Sequence, residues 1–258
     1  MPYWRVDWTR PTVLLLEGTH LLQEALRLGL NPEVLLATPS WLADHRELTA
    51  ELPPGTPIRP ATPEVLAAAA TTRHPDGVLL TVRPPAPLPP ARGAGFLLAL
   101  DRLQDPGNLG TLLRTALAAG VQRAWLAEGA DPWQPKVLRA SSGAALALPL
   151  ERMAARELPG RLEQARREGH QVVATVVPGA APRSGAAAVP YWRVDWTRPT
   201  VLLLGNEGAG LDPELAVLAD HRVTIPHAPE VESLNVAVAA APLLLERRRQ
   251  TIERAAAP

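Results

Sequence analysis

Short unbroken apolar runs alternate with stretches of helical period along most of this chain. Thr12–Leu16, Val34–Ala37 and Gly77–Val82 are β-prone runs of strand length, while Thr19–Leu28 and Pro63–Ala70 place apolar residues three and four apart, as on one helix face. The alternation resumes with strand Phe96–Leu100, helix Leu109–Ala119, strand Ala124–Ala127 and helix Gln134–Ser141. It continues through helix Leu158–Glu168, strands Gln171–Val177 and Thr200–Leu204, helix Pro213–Ala219, strand Arg222–Ile225 and a last helix, Leu234–Arg254. Repeated strand–helix alternation predicts an α/β fold, with a mostly parallel sheet covered by helices.

The pattern breaks at Arg83–Gly95, RPPAPLPPARGAG, where five of the seven residues from Pro84 to Pro90 are Pro. Such a segment admits neither helix nor central strand and makes a semi-rigid spacer. The chain therefore divides into a small α/β domain (1–82), a Pro-rich linker (83–95) and a larger α/β domain (96–258). Pro178–Pro190 reads as a low-complexity surface loop. One repeat stands out: PYWRVDWTRPTVLLL occurs at Pro2–Leu16 and again at Pro190–Leu204. Structural repeats diverge and recur at short regular periods, so two identical copies this far apart point to a recent duplication or a fault in the sequence.

Composition narrows the chemistry. The 258 residues include no Cys, which removes disulfide frameworks, thiolate metal sites and cysteine nucleophiles. No apolar run reaches membrane-spanning length and no signal-type start is present, so a cytoplasmic protein with no membrane partner is expected. Basic and acidic residues balance at 26 each, which argues against a general polyanion binder. The basic residues are all Arg except Lys136. The six His show no metal-ligand spacing, so no metal is expected.

Three segments of the larger domain lie where strands end, the place at which open α/β sheets bind ligands. In Leu98–Gly120, Asp105-Pro106-Gly107 reads as a turn, Asn108 as a cap for the next helix, and Arg114 follows on that helix. A helix N-terminus with a nearby Arg favours an anion such as phosphate, although an ordinary capped helix with a solvated Arg has the same pattern. In Thr200–Leu215 a buried strand runs into Gly205-Asn206-Glu207-Gly208-Ala209-Gly210. The glycine order is not that of a dinucleotide loop, and Glu207 could be merely solvated. In Val223–Arg249, Ile225-Pro226 ends a strand, Ser233 could cap the last helix, and Asn235 sits in its otherwise apolar first turn. His20 and His227 read as surface residues.

Together these segments run N-x-G-x-x-x-R after a strand, then L-G-N-E-G-x-G-L, then I-P followed by S-L-N-V. Their order and spacing closely resemble the three motifs of the SpoU (TrmH-like) RNA ribose 2′-O-methyltransferases of the SPOUT superfamily. The resemblance covers Phe96 to about Gln250, and more weakly Leu14–Leu26 and His74–Val82, which look like the small substrate-binding domain that many members carry in front. It implies a C-terminal trefoil-knotted α/β domain, a homodimer, S-adenosylmethionine as cofactor and RNA as substrate, ribosomal RNA more than transfer RNA. By motif position Leu204, Gly205, Ile225, Pro226, Ser233 and Leu234 would contact the cofactor, and Asn108, Arg114, Glu207 and Asn235 would form the catalytic set. Tyr191, Asp195 and Pro199 fit the family's pattern ahead of its glycine motif, so the second copy of the repeat looks native and Pro2–Arg10 is the copy out of place. Pro242 departs from the resemblance by interrupting the last helix, where it should produce a kink.

A guanidinium keeps its proton at any ordinary pH, so Arg114 reads as a holder of the phosphate beside the target ribose rather than as a base. Asn108 and Asn235 would orient Arg114, cofactor or ribose, and Glu207 would order its loop through backbone donors. Arg102, Arg114, Lys136 and Arg139 would supply local positive charge. An oxidoreductase with a dinucleotide at Gly205 and a non-catalytic RNA-binding relative are the rival readings.

Overall fold

The computed structural model describes residues 12–86, 95–176 and 187–256. Pro2–Arg10 and most of both Pro-rich stretches lie outside the described residues. The first part of the chain contains β1 (Leu14–Glu17), α1 (Thr19–Arg27), β2 (Pro32–Ala37), α2 (Pro39–Asp44), α3 (Arg46–Ala50), β3 (Ile58–Pro60), α4 (Pro63–Ala69) and β4 (Val78–Val82). These strands form a sheet of order β1-β4-β2-β3, with β4 antiparallel to both neighbours and β2 parallel to β3. Thr38 and Thr62 cap α2 and α4 by accepting from Trp41 N and Val65 N, each followed by a Pro that needs no hydrogen-bond partner there.

The remainder contains β5 (Phe96–Asp101), α5 (Pro106–Ala118), β6 (Arg123–Ala127), α6 (Pro135–Ala140), α7 (Ala144–Ala147), β7 (Leu150–Met153), α8 (Leu158–Arg167) and β8 (Gln171–Thr175). These are followed by β9 (Val189–Pro190), β10 (Thr200–Leu204), α9 (Pro213–Ala216), β11 (His221–Thr224) and α10 (Val236–Ala256). The seven strands are parallel throughout, in the order β7-β6-β5-β10-β8-β11-β9. Both faces of this sheet are buried. Leu98 and Leu100 of β5 join one apolar cluster while Leu97 and Ala99 join another on the opposite face. The first cluster also takes in Leu14, Leu16, Leu21 and Leu22, so it runs continuously from the small sheet into the large one.

The repeated TVLLL tests how far sequence dictates environment. At Thr200–Leu204 it is β10, flanked by β5 and β8, and Val201 is fully buried. In the first copy it enters β1 at the edge of a mixed sheet, antiparallel to β4, and Val13 is 41% exposed. One pentapeptide is fully sequestered as a central parallel strand and alternately buried as an edge strand. The second copy is integral to the core. Trp196 is fully buried, donates from Nε1 to Tyr191 O, and its amide donates to Gln250 Oε1 of α10.

The pattern of apolar positions missed α2, α3, β3, α7, β7 and β9. All are short, and β7 carries Glu151 and Arg152, whose side chains engage Arg161 and Asp131 and hide the strand period. Pro242 lies inside α10, which continues from Val236 to Ala256 through it. Arg247 fastens this helix to the start of β5: its Nη2 donates to Gly95 O (2.9 Å) and its guanidinium lies 4.5 Å from the centre of the Phe96 ring.

Candidate active site

Because β5, β10 and β11 are parallel, their carboxyl ends fall on one edge of the sheet, and the three motifs leave from that edge. After β5 the chain turns at Arg102, whose φ of 54° puts a non-glycine residue in the left-handed region. The turn is held by charge. Arg102 donates to Asp101 through Nε (2.8 Å) and Nη2 (3.1 Å), and to Asp212 Oδ2 (3.1 Å). Asp101 is buried and also accepts from Asp212 N at 3.2 Å, so β5 and the start of α9 share one ionic clasp. Sequence reading did not single out Asp101 or Asp212; their only signal was acid residues beside a strand end and ahead of a helix-opening Pro.

Asp105, not Asn108, caps α5, accepting from Asn108 N at 2.7 Å. Pro106 and Gly107 are the first residues of the helix rather than a separate turn, since a missing N–H is harmless there. Asn108 is thereby released for side-chain work. Its Nδ2 donates to Glu207 Oε1 (3.3 Å) and its Oδ1 accepts from Asn235 Nδ2 (2.8 Å). Glu207 accepts in addition from the amides of Gln104 and Asp105, each at 3.0 Å. One relay of side chains, Asn235–Asn108–Glu207, thus joins all three motifs.

Asn235, not Ser233, caps α10: its Oδ1 accepts from the amides of Ala237 (3.0 Å) and Val238 (3.3 Å). Its side-chain amide is exposed and engaged through both Oδ1 and Nδ2, so no burial penalty arises. Ser233 is exposed and Leu234 half-buried just before this cap. Leu204 is the buried last residue of β10, and Gly205 opens the loop after it. A bridge between Asn206 and Gly210 (2.9 and 3.0 Å) closes that loop, and Asn206 fixes its interior by accepting from Gly208 N and Ala209 N. Asn206 Nδ2 donates to Arg102 O at 2.7 Å, tying the loop to the first motif.

Ile225 and Pro226 follow β11. His227, which sequence reading left on the surface, clasps this segment: Nδ1 lies 2.8 Å from Ile225 O and Nε2 lies 3.1 Å from Val231 O.

The positive charge expected around the first motif is mostly spent internally. Arg102 is paired as above, Lys136 lies 3.8 Å from Asp105 Oδ2, and Arg139 lies 3.0 Å from Glu17 Oε1. Arg114 is exposed on α5 and makes no hydrogen bond or ion pair among the described residues. Of these four cations it is the one left for an external anion. Among the described residues no cluster of three His, Asp or Glu could hold a metal ion, and no helix is long and apolar enough to cross a membrane.

Burial raises the Glu207 carboxyl, but hydrogen bonds from the amides of Gln104 and Asp105 and from Asn108 outweigh it, so it titrates below its ordinary value of 4.5. The ordering supplied by the ionised form is therefore complete above about pH 4.5 and lost as pH falls through the lowered value. Titrating cofactor affinity should show a decline on the acid side of that point, and Glu207→Gln should flatten it. An equal acid decline in the variant would assign it to another group.

A strand-end site on a parallel sheet, built from a glycine loop, an amide relay and one unengaged Arg, is suited to an α/β enzyme acting on an anionic substrate. Comparison with known proteins makes the class specific. The SpoU rRNA methylase family matches residues 95–245, and the RNA 2′-O ribose methyltransferase substrate-binding family matches residues 15–88. The chain is 44% identical over 243 residues to an uncharacterized tRNA/rRNA methyltransferase of Synechocystis, covering 92% of this chain and 84% of that one. It is 33% identical to a 23S rRNA guanosine 2′-O-methyltransferase of Bacillus subtilis, covering 93% and 90%. Its fold is similar to that of the SpoU methyltransferase AviRb from Streptomyces viridochromogenes in complex with AdoMet, with a TM-score of 0.78, 30% identity and coverage of 96% and 94%. The chain belongs to the SpoU rRNA methylase family. It is an RNA 2′-O-ribose methyltransferase of α/β fold with a substrate-binding domain in front, and the methyl donor of the family is S-adenosylmethionine.

Proposed function

We propose that this enzyme methylates a ribose 2′-hydroxyl of ribosomal RNA, with Arg114 holding the phosphate beside that ribose. The observation that carries the reading is the Asn235–Asn108–Glu207 relay, which makes the three motifs one site with Arg114 unengaged about two and a half helical turns along α5 from its cap. The Bacillus relative is named for 23S rRNA, which favours ribosomal over transfer RNA.

The residues present fit the cofactor. A Cβ at Gly205 would lie 2.4 Å from Leu211 N and 2.5 Å from Gly210 C, so the backbone at the end of β10 is bare by necessity. At the end of β11, Thr224 Oγ1 is buried with no hydrogen-bond partner. Leu204, Gly205, Ile225, Pro226, Ser233 and Leu234 would hold the cofactor between these strand ends and the cap of α10. When bound, it supplies a methyl already activated by the sulfonium charge. What the chain adds is alignment: Glu207 fixes the loop, Asn108 and Asn235 fix α5 against α10, and Arg114 polarises the hydroxyl through its phosphate. Incubating the protein with methyl-labelled donor and either ribosomal or transfer RNA, then mapping alkali-resistant linkages, tests this directly. Label on a base, or on transfer RNA alone, would overturn it.

The division at 1–82, 83–95 and 96–258, the trefoil knot in the last part, the homodimer and a cytoplasmic location belong to the same proposal. β10 lying between β5 and β8 fits a chain end threaded into the sheet. For the dimer the support is α10, where Val238, Leu245 and Ile252 recur at a seven-residue spacing and are 62%, 52% and 53% exposed. A second copy is the occupant proposed for this stripe. Light scattering should report a dimer for the parent and a folded monomer for Leu245→Asp. A parent that is monomeric at micromolar concentration would overturn the assignment.

A further inference from the structure

Glu17 is the last residue of β1 and is only 7% exposed, yet it is far from the site described above in both sequence and sheet. Its carboxylate accepts from Thr71 N (3.1 Å), from Thr71 Oγ1 and from Thr72 Oγ1 (3.2 Å). The remaining partner comes from the other sheet's domain: Arg139 of α6 lies 3.0 Å from Oε1 and donates to Thr71 Oγ1 at 2.7 Å. A carboxylate this buried persists only when paired and hydrogen-bonded, so the contact ties the two parts of the chain together by an interaction that neither can replace alone. A second contact lies beside it. Gly143, at φ 78°, is approached so closely by α1 that a Cβ there would sit 2.9 Å from Glu24 Cβ.

The helix that carries Arg139 also borders the catalytic set. Lys136, one turn earlier, approaches Asp105, the cap of α5. Farther along, α6 packs on α5 with no room between them: a Cβ at Gly110 would lie 2.5 Å from Ala140 Cβ and 2.8 Å from Val137 O. Asn108 and Arg114 are on α5. A rigid path therefore runs from Glu17 through Arg139 and α6 to the residues at the site.

We propose that the Glu17–Arg139 pair is a positioning latch. It holds the substrate-binding domain at one orientation to α5, so that RNA gripped by that domain presents its target ribose to Arg114. Thr71 and Thr72, which the latch anchors, lead directly into the exposed Arg73, a cation suited to an RNA phosphate. The inference rests on the reading of the protein as an RNA ribose methyltransferase. It predicts an effect on RNA presentation and none on the cofactor.

The absence of Cys allows selective spin labelling. Labels at Gln23→Cys and Gln164→Cys, both exposed positions, report the distance between α1 and α8 when the labelled chain is diluted into unlabelled protein. A single narrow distance distribution is expected in the parent and a broadened one in Arg139→Gln. The same substitution should raise KM for a structured ribosomal RNA fragment by on the order of tenfold, leave kcat within about twofold, and leave S-adenosylmethionine affinity unchanged. Arg139→Lys, which keeps the charge, should recover most of the loss, and Glu17→Gln with Arg139→Gln should be no worse than Arg139→Gln alone. An unbroadened distribution in Arg139→Gln overturns the latch, and so does an unchanged KM in an active enzyme. The distance measurement needs no activity, so a parent that binds donor but methylates no ribose would defeat the functional reading while leaving the latch decided by the spectra.

Discussion

Replacing Arg114 by Ala should lower kcat/KM for RNA methylation by on the order of a hundredfold or more while donor affinity stays within about twofold. The expectation follows from what surrounds this residue. Arg102, Lys136 and Arg139 are each engaged by a carboxylate, whereas Arg114 is exposed with no partner among the described residues. Removing it leaves no buried charge behind, so the fold should be indifferent and the whole loss should appear in catalysis. Arg114→Lys separates charge from geometry. A lysine keeps the positive charge but not the planar two-pronged fork that matches a phosphate, so it should retain only part of the activity. Equal activity of Arg114→Lys and the parent would show that a point charge suffices. Unimpaired activity of Arg114→Ala would remove Arg114 from the mechanism.

How much of this could be read from the chain differs between fold and site, for a physical reason. Long buried strands such as Phe96–Asp101 and Thr200–Leu204 announce themselves because both faces of a central parallel strand are apolar. Short edge elements such as β3 and β7 do not, since one face meets solvent or charge. Capping was misassigned twice, at Asn108 and Ser233, for the same cause. Several residues near a helix start have cap-competent side chains, and only the backbone path decides which one reaches the free amides: Asp105 for α5 and Asn235 for α10. The motif residues were found by their order along the chain, but the relay linking Asn235 to Asn108 spans 127 positions and follows only from three-dimensional closure. Charge was the least legible property. Counting Arg and Lys near the first motif suggested four cations facing RNA, whereas pairing leaves Arg114, because partners such as Asp212 and Glu17 come from distant segments.

The second large effect is expected at Gly205, where a single methyl group should cost at least tenfold in S-adenosylmethionine affinity. The atoms a Cβ would strike are backbone: Leu211 N at 2.4 Å, Gly210 C at 2.5 Å and Gly210 O at 2.6 Å. Backbone cannot swing away as a side-chain tip can, and Gly210 is itself pinned by the two-way bridge to Asn206. The loop must open for Gly205→Ala to fold, and overpacking of this kind costs about 1–3 kcal/mol. Donor binding uses the loop in its parent position, so restoring that position charges part of this cost to binding, where about 1.4 kcal/mol is tenfold. Gly208→Ala is the matching control, since the nearest atom to its Cβ is Asn206 Oδ1 at an ordinary 3.7 Å, and donor affinity there should stay within about twofold of the parent. Calorimetric titration of the two variants decides the matter. Comparable affinity in both would mean that donor binding does not depend on the conformation of the loop after β10, and would remove Gly205 from the cofactor site. A loss confined to Gly205→Ala, with a melting temperature only about 2–8 °C lower, would show that donor binding depends on the parent conformation of that loop.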